Sequence, residues 1–120
     1  MPDGIDAPSS TSSSLPVHTF SPVCRGRYRY LSCDGGRRVS IVSVFFGRNN
    51  RDPHCRAARS FLSRNSNPDS SGCSVAGAAD VFKDQCDGRG GCWVYHSLLD
   101  SIRDTCSHVE KYIRIEYRCT

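Results

Sequence analysis

The sequence predicts a small antiparallel β domain with one helix, braced by disulfides. Three observations predict it. Eight cysteines, at positions 24, 33, 55, 73, 86, 92, 106 and 119, all fall in the last 97 of 120 residues. Several short stretches are β-branched and aromatic or alternate with period two. One segment alone places apolar residues at three- and four-residue spacing, the mark of a helix.

The cysteines set the class. An even count at this density in a small domain reads as a disulfide framework, which persists in oxidising compartments, so the chain is expected outside the cell. Zinc is the rival, and structural zinc sites typically leave about two to four residues between paired cysteines. The tightest pair here, Cys86 and Cys92, leaves five, and no Cys-x-x-Cys occurs. The histidines at 18, 54, 96 and 108 are scattered, so neither a metal nor another cofactor is expected. Hydrophobic residues make up only 38% of the chain. Four disulfides at about 2–4 kcal/mol each would then rival the usual net stability of about 5–15 kcal/mol.

Residues 1–23 carry no cysteine and cluster serines at 9, 10, 12, 13 and 14. That composition reads as a flexible linker or tail, with the domain over 24–119. No charged start leads into an apolar stretch, so no signal peptide is expected. No apolar run is long enough to enter a membrane. A secreted-type domain without an export signal, ending one residue after Cys119, is expected to be a piece of a longer protein.

Arg27 to Cys33 is an extended candidate closed by Asp34-Gly35-Gly36. Val39 to Phe46 is a second, closed by Gly47, and the pair is expected to form a hairpin. The loop from Gly47 to Gly72 is long, polar and Arg-rich, with Cys55 to tether it. From Ser74 to Cys86, Val75, Ala78, Ala79 and Phe82 form the helical stripe, with Gly88 placed to end it. Cys92 to Tyr95 is a short strand, and Trp93 is expected in the core. Lys111 to Cys119 alternates, with Ile113, Ile115, Tyr117 and Cys119 on one face.

The net charge is +4, from fourteen Arg and two Lys against twelve acids. Arginine favours bidentate contacts to carboxylates, sulfates and phosphates. Most of these side chains are accounted for by a solvated surface. The sharper expectation is an anionic partner, a sulfated glycan or an acidic protein face, and Arg25, Arg37, Arg38 and Arg48 around the hairpin would attract it. A nucleic-acid partner fits a disulfide-rich secreted domain poorly. His96, Ser97 and Asp100 are close in sequence, but a triad is recognised in space. They read as a loop, and no enzyme is expected.

Cys24-Arg25-Gly26, Leu31-Ser32-Cys33, Phe46-Gly47-Arg48, Cys86-Asp87-Gly88-Arg89-Gly90-Gly91-Cys92, Asp104-Thr105-Cys106, Lys111-Tyr112-Ile113 and Tyr117-Arg118-Cys119 stand in register along the chain. Together they resemble the sea-urchin-egg-lectin (SUEL) type domain, the rhamnose- or galactose-binding lectin domain, from Cys24 to Cys119. The resemblance implies a β-sandwich of antiparallel strands with one longer helix. It also implies the pairs Cys24–Cys55, Cys33–Cys119, Cys73–Cys106 and Cys86–Cys92, out of 105 pairings that eight cysteines allow.

The resemblance places candidate ligand contacts at Arg25, Phe46, Gly47, Arg48, Asp104, His108 and Lys111. Asp104 and Lys111 match the family's motifs. Arg25 stands where lectins of this type carry Glu, and Phe45-Phe46 replaces Asn-Tyr. Thr105 replaces a Pro, and His108 replaces a Gly and would crowd the pocket. A site built for hydroxyls loses affinity with each lost partner, so the monosaccharide pocket is expected to be degenerate. The leading expectation is therefore a protein-recognition module of a cell-surface receptor, since latrophilins and EVA-type guidance receptors carry this domain. The partner would be an extracellular protein ligand or co-receptor in adhesion, axon guidance or synapse organisation. The alternatives are a galactose- or rhamnose-binding lectin and a sulfated-glycan binder acting through arginines.

Overall fold

The computed structural model describes residues 15–49, 55 and 72–120. Strand β6 (Tyr112–Cys119) lies inside a four-stranded antiparallel sheet of order β1-β6-β3-β4, with β1 at His18–Cys24, β3 at Val39–Arg48 and β4 at Cys73–Ser74. Its alternation drives Ile113 and Ile115 into full burial. A second sheet pairs β2 (Arg29–Ser32) with β5 (Gly91–Val94). The helix α1 (Ala78–Cys86) buries Ala78, Phe82 and Cys86, one residue per turn on one face. Leu31 and Val94 from the small sheet, Val23, Ile41 and Ile115 from the large one, and Phe82 from α1 meet in a single core. Among the described residues the fold is thus two antiparallel sheets with one α-helix, as the sequence predicts.

The sequence places the end of α1 correctly, but the helix starts at Ala78 rather than Ser74, with Cys73–Ser74 taken by β4 and Val75 buried ahead of the helix. Gly77 takes a φ of 97° at the N-terminal boundary, where a residue with a Cβ would be strained. At the other end Asp87 Oδ1 accepts from the Ile41 amide at 2.7 Å, and the Gly88 amide donates to the Val39 carbonyl at 2.9 Å. The helix stop therefore also docks α1 onto β3. The disulfides are Cys24–Cys55, Cys33–Cys119, Cys73–Cys106 and Cys86–Cys92, the same set the resemblance implies.

Four further expectations are corrected. The boundary drawn at residue 24 falls inside β1: His18–Cys24 pairs with β6 and sinks Val23 into the core, with a register shift around Pro22. The Ser/Pro composition hides that strand. The serine cluster at 9–14 and most of the 47–72 loop lie outside the described residues. The hairpin does not form, because β2 pairs with β5 and β3 with β6. Asp34-Gly35-Gly36 instead turns the chain from one sheet to the other. Trp93 is 54% exposed, because Cys92 and Val94 on either side take the inward positions of β5. The arginine cluster is dispersed as well. Arg37 and Arg38 stand at the start of the ten-residue β3 and Arg48 at its end, about 30 Å of strand away. Arg38 Nη1 donates to the Gly88 carbonyl at 2.7 Å.

Candidate functional site

The loop leaving β1 and the segment following β5 face each other across a cleft of about 480 Å³. Arg25 to Tyr28 form one wall. Tyr95 to Asp100, mostly a short 3-10 helix over His96–Leu99, form the other. Phe46 and Ile102 contribute apolar surface, and Asp104 completes the lining. The first wall turns sharply after Cys24, with Gly26 at a φ of 83° and the Arg27 amide bonded to the Cys24 carbonyl at 3.0 Å.

His96 ties the walls together. Its Nε2 lies 2.9 Å from the Val23 carbonyl, and its ring meets the Phe46 ring edge-on at 5.4 Å. Burial pushes its pKa below the ordinary histidine value, helped by the charges of Arg25 and Lys111 and opposed by the Val23 carbonyl and Glu110. His96 thus joins the loop after β1 to the segment after β5 through its ring.

Asp104 is held from behind. Its Oδ2 pairs with Lys111 Nζ at 2.9 Å, and its Oδ1 accepts from the Cys106 amide at 3.0 Å. Burial works to raise its pKa. The hydrogen bonds from Lys111 and the Cys106 amide, with the charges of Lys111 and Arg25, outweigh that and hold it below the ordinary carboxylate value. An ionised, oriented carboxylate therefore faces the cleft, with Asp100 in the same lining. Arg25 and Arg27 supply donors opposite these acceptors, and Tyr28, Tyr95 and Phe46 supply aromatic surface. Groups of this kind can hold a small polyhydroxylated molecule, with charge-assisted hydrogen bonds at fixed positions.

The sequence-predicted site residues divide. Arg25, Phe46 and Asp104 line the cleft. Lys111 stands behind it, 7% exposed, with Nζ also donating to the carbonyls of Cys106 and Val109 at 2.8 and 2.9 Å. Gly47 is not a cleft residue. It pairs with Ser74, and a Cβ there would run into the Cys73 carbonyl oxygen. Arg48 is neither solvated nor at the cleft: it is 5% exposed and its Nε donates to the Glu110 carbonyl at 2.6 Å. His108 is exposed and outside the lining, so it crowds nothing there. Tyr28, Tyr95, His96, Ser97 and Asp100 were not singled out by the sequence as binding residues. The nearest signal was the proximity of His96, Ser97 and Asp100, which a 3-10 helix turns into one wall.

Among the described residues no group of acidic, histidine or cysteine side chains could hold a metal ion. None of their helices is long and apolar enough to cross a membrane.

A family model described as the D-galactoside/L-rhamnose binding SUEL lectin domain matches residues 31–119. The L-rhamnose-binding lectin SML of Scomberomorus niphonius is 33% identical over 107 residues, which take in 88% of this chain and 49% of that protein. The chain thus spans about half the length of that relative. The L-rhamnose-binding lectin ELEL-1 of Echinometra lucunter is 29% identical over 99 residues, 82% of this chain and 87% of that protein.

Proposed function

This chain belongs to the D-galactoside/L-rhamnose binding SUEL lectin domain family, and we propose that it is an extracellular carbohydrate-recognition module whose cleft takes one galactoside- or rhamnoside-type sugar. The observation that carries the reading is the Asp104 carboxylate, fixed in the cleft lining by Lys111 and the Cys106 amide. A prefixed acceptor loses little freedom when a hydroxyl docks on it. Asp100 adds a second acceptor in the same lining, so the acid missing at Arg25 is not the cleft's sole source of negative charge. Arg25 and Arg27 donate to hydroxyl or ring oxygens, and a C–H face of the sugar rests on the exposed Tyr28 ring. The site binds and does not transform.

The similarity to lectins favours this reading over the protein-recognition module that the residue substitutions alone put first. Four disulfides support the extracellular setting. The test is a titration of isotope-labelled protein with L-rhamnose and with D-galactose. Saturable shifts at the Ser97, Asp100 and Asp104 amides are expected, with a dissociation constant of about 1 mM, or roughly −4 kcal/mol. Flat titrations with both sugars would retire the lectin reading and return the protein partner to first place.

A further inference from the structure

The small β2–β5 sheet has one face in the core and one face open. Leu31, Cys92 and Val94 point inward and are buried. Tyr30 and Trp93 are cross-strand partners on the other face, with ring centroids 5.0 Å apart. One step along the same face, Tyr28 stacks on Tyr95 at 4.6 Å. Tyr28, Tyr30 and Trp93 remain 63%, 51% and 54% exposed. A hollow of about 750 Å³ lies over these rings, edged by Gln85 and Arg89.

The arrangement is built. Gly91 has no Cβ, and one there would lie 2.6–2.8 Å from the Tyr30 phenol, so only glycine lets that ring rest against β5. The fold itself does not need the aromatics, since the inward face of each strand supplies the core. Exposed clustered aromatics mark binding surface. The hollow has the volume of a small-molecule site, whereas a stable protein interface buries about 800 Å² per partner. Among the described residues none that lines it is acidic, and Arg89 presents a guanidinium, which pairs with carboxylates.

We propose that the Tyr30–Trp93 face is a second saccharide subsite, for an acidic pyranoside. One C–H face of the sugar ring packs on the two aromatic rings. Its carboxylate meets Arg89, and Gln85 and the Tyr30 hydroxyl bond its hydroxyls. The proposed subsite differs from the cleft in its polar contacts, since the cleft's carboxylates take no part in it, while Tyr28 and Tyr95 border both hollows.

Trp93 is the single tryptophan of the chain, so its fluorescence reports on this face directly. The experiment titrates the protein with trigalacturonate and with galactotriose, which share ring stereochemistry and differ in the carboxylate. A saturable emission change with trigalacturonate is expected, with affinity about tenfold above that for galactotriose. Arg89→Gln should erase the difference between the sugars, and Tyr30→Ala should weaken both. Both side chains are exposed, and unchanged far-UV circular dichroism confirms that the variants fold. No saturable change with either sugar overturns the proposal, as does a change that Tyr30→Ala leaves intact. Equal affinities overturn the acidic class. Emission that varies with protein concentration and ignores sugar makes a second copy of the chain the occupant and also overturns it. Amide shifts at Ser97 and Asp100, which read the cleft, keep failure here distinct from failure there.

Discussion

Lys111 Nζ stands 2.9 Å from Asp104 Oδ2 and spends its remaining donors on the Cys106 and Val109 carbonyls. One ammonium therefore closes the loop between the two residues and aims a carboxylate at the cleft. An ammonium has three protons, and all three are committed. Lys111 thus orients Asp104 and has no donor left over, so in the proposed function Asp104 makes the ligand contact in this part of the site.

Lys111→Met should lower stability and weaken sugar binding together. It leaves one carboxylate and two carbonyls short of a donor. A fully buried pair broken this way costs about 3–5 kcal/mol. Asp104 is 31% exposed, so solvent screens part of the loss and about 2 kcal/mol is expected. Urea denaturation measures the first effect and the rhamnose titration the second. An unchanged midpoint would show that the loop holds without Lys111.

Acid should destabilise the fold in two stages. The folded pKa of His96 is depressed, chiefly by burial. A base depressed in this way contributes stability that is present in full above its unfolded value, about 6.5, and lost as pH falls through the folded value. Asp104, also depressed, contributes above about 3.9 and loses that contribution in stronger acid. Urea midpoints should therefore decline below about pH 6.5, and His96→Phe should flatten that first decline. An NMR titration placing the His96 midpoint above 6.5 would contradict the burial argument.

Gly47→Ala should be among the costliest single-methyl additions in the chain. The added Cβ would meet backbone atoms of Cys73 and Ser74, which cannot rotate away, at the β3–β4 pairing beside the Cys73–Cys106 bond. Overpacking typically costs about 1–3 kcal/mol, and the upper end is expected here. Thermal unfolding of the variant checks it. A neutral result would mean that β4 separates readily from β3.

The parts of the fold that were legible are those where burial imposes a period. Ile113 and Ile115 stand two residues apart because the pleat of β6 turns that face to the core, and Ala78, Phe82 and Cys86 repeat because α1 has one buried face. Strand pairing was not legible. Asp34-Gly35-Gly36 marks a turn equally well whether the next strand folds back on β2 or crosses to the other sheet, and only the core decides. Trp93 faces outward, against expectation, because Cys92 and Val94 on either side hold the inward positions of β5. At the cleft, motif register identified Arg25, Phe46 and Asp104. It missed the 3-10 wall, whose side chains converge only once β5 has placed them. Arg48 and Gly47 illustrate the reverse. They sit in a binding motif, yet the described structure gives them packing roles.

The four disulfides should contribute unequally. In the chain-entropy account a bond stabilises by shrinking the unfolded ensemble, and the gain rises with the logarithm of the loop it closes. Cys33–Cys119 closes a separation of 86 residues and Cys86–Cys92 one of 6. The predicted contributions are about 4–5 and about 2 kcal/mol. Position reinforces the order, because Cys33–Cys119 links the ends of β2 and β6 and so clamps one sheet to the other. Cys86–Cys92 spans only the turn from α1 to β5. A Cys33→Ser/Cys119→Ser double variant should therefore lose roughly twice as much stability in guanidinium as Cys86→Ala/Cys92→Ala. Alanine is chosen for the second pair because both sulfurs are buried and a hydroxyl there would lack a partner. Equal losses, or a larger loss for the short bond, would show that packing of the Cys86 and Cys92 sulfurs in the core outweighs loop entropy.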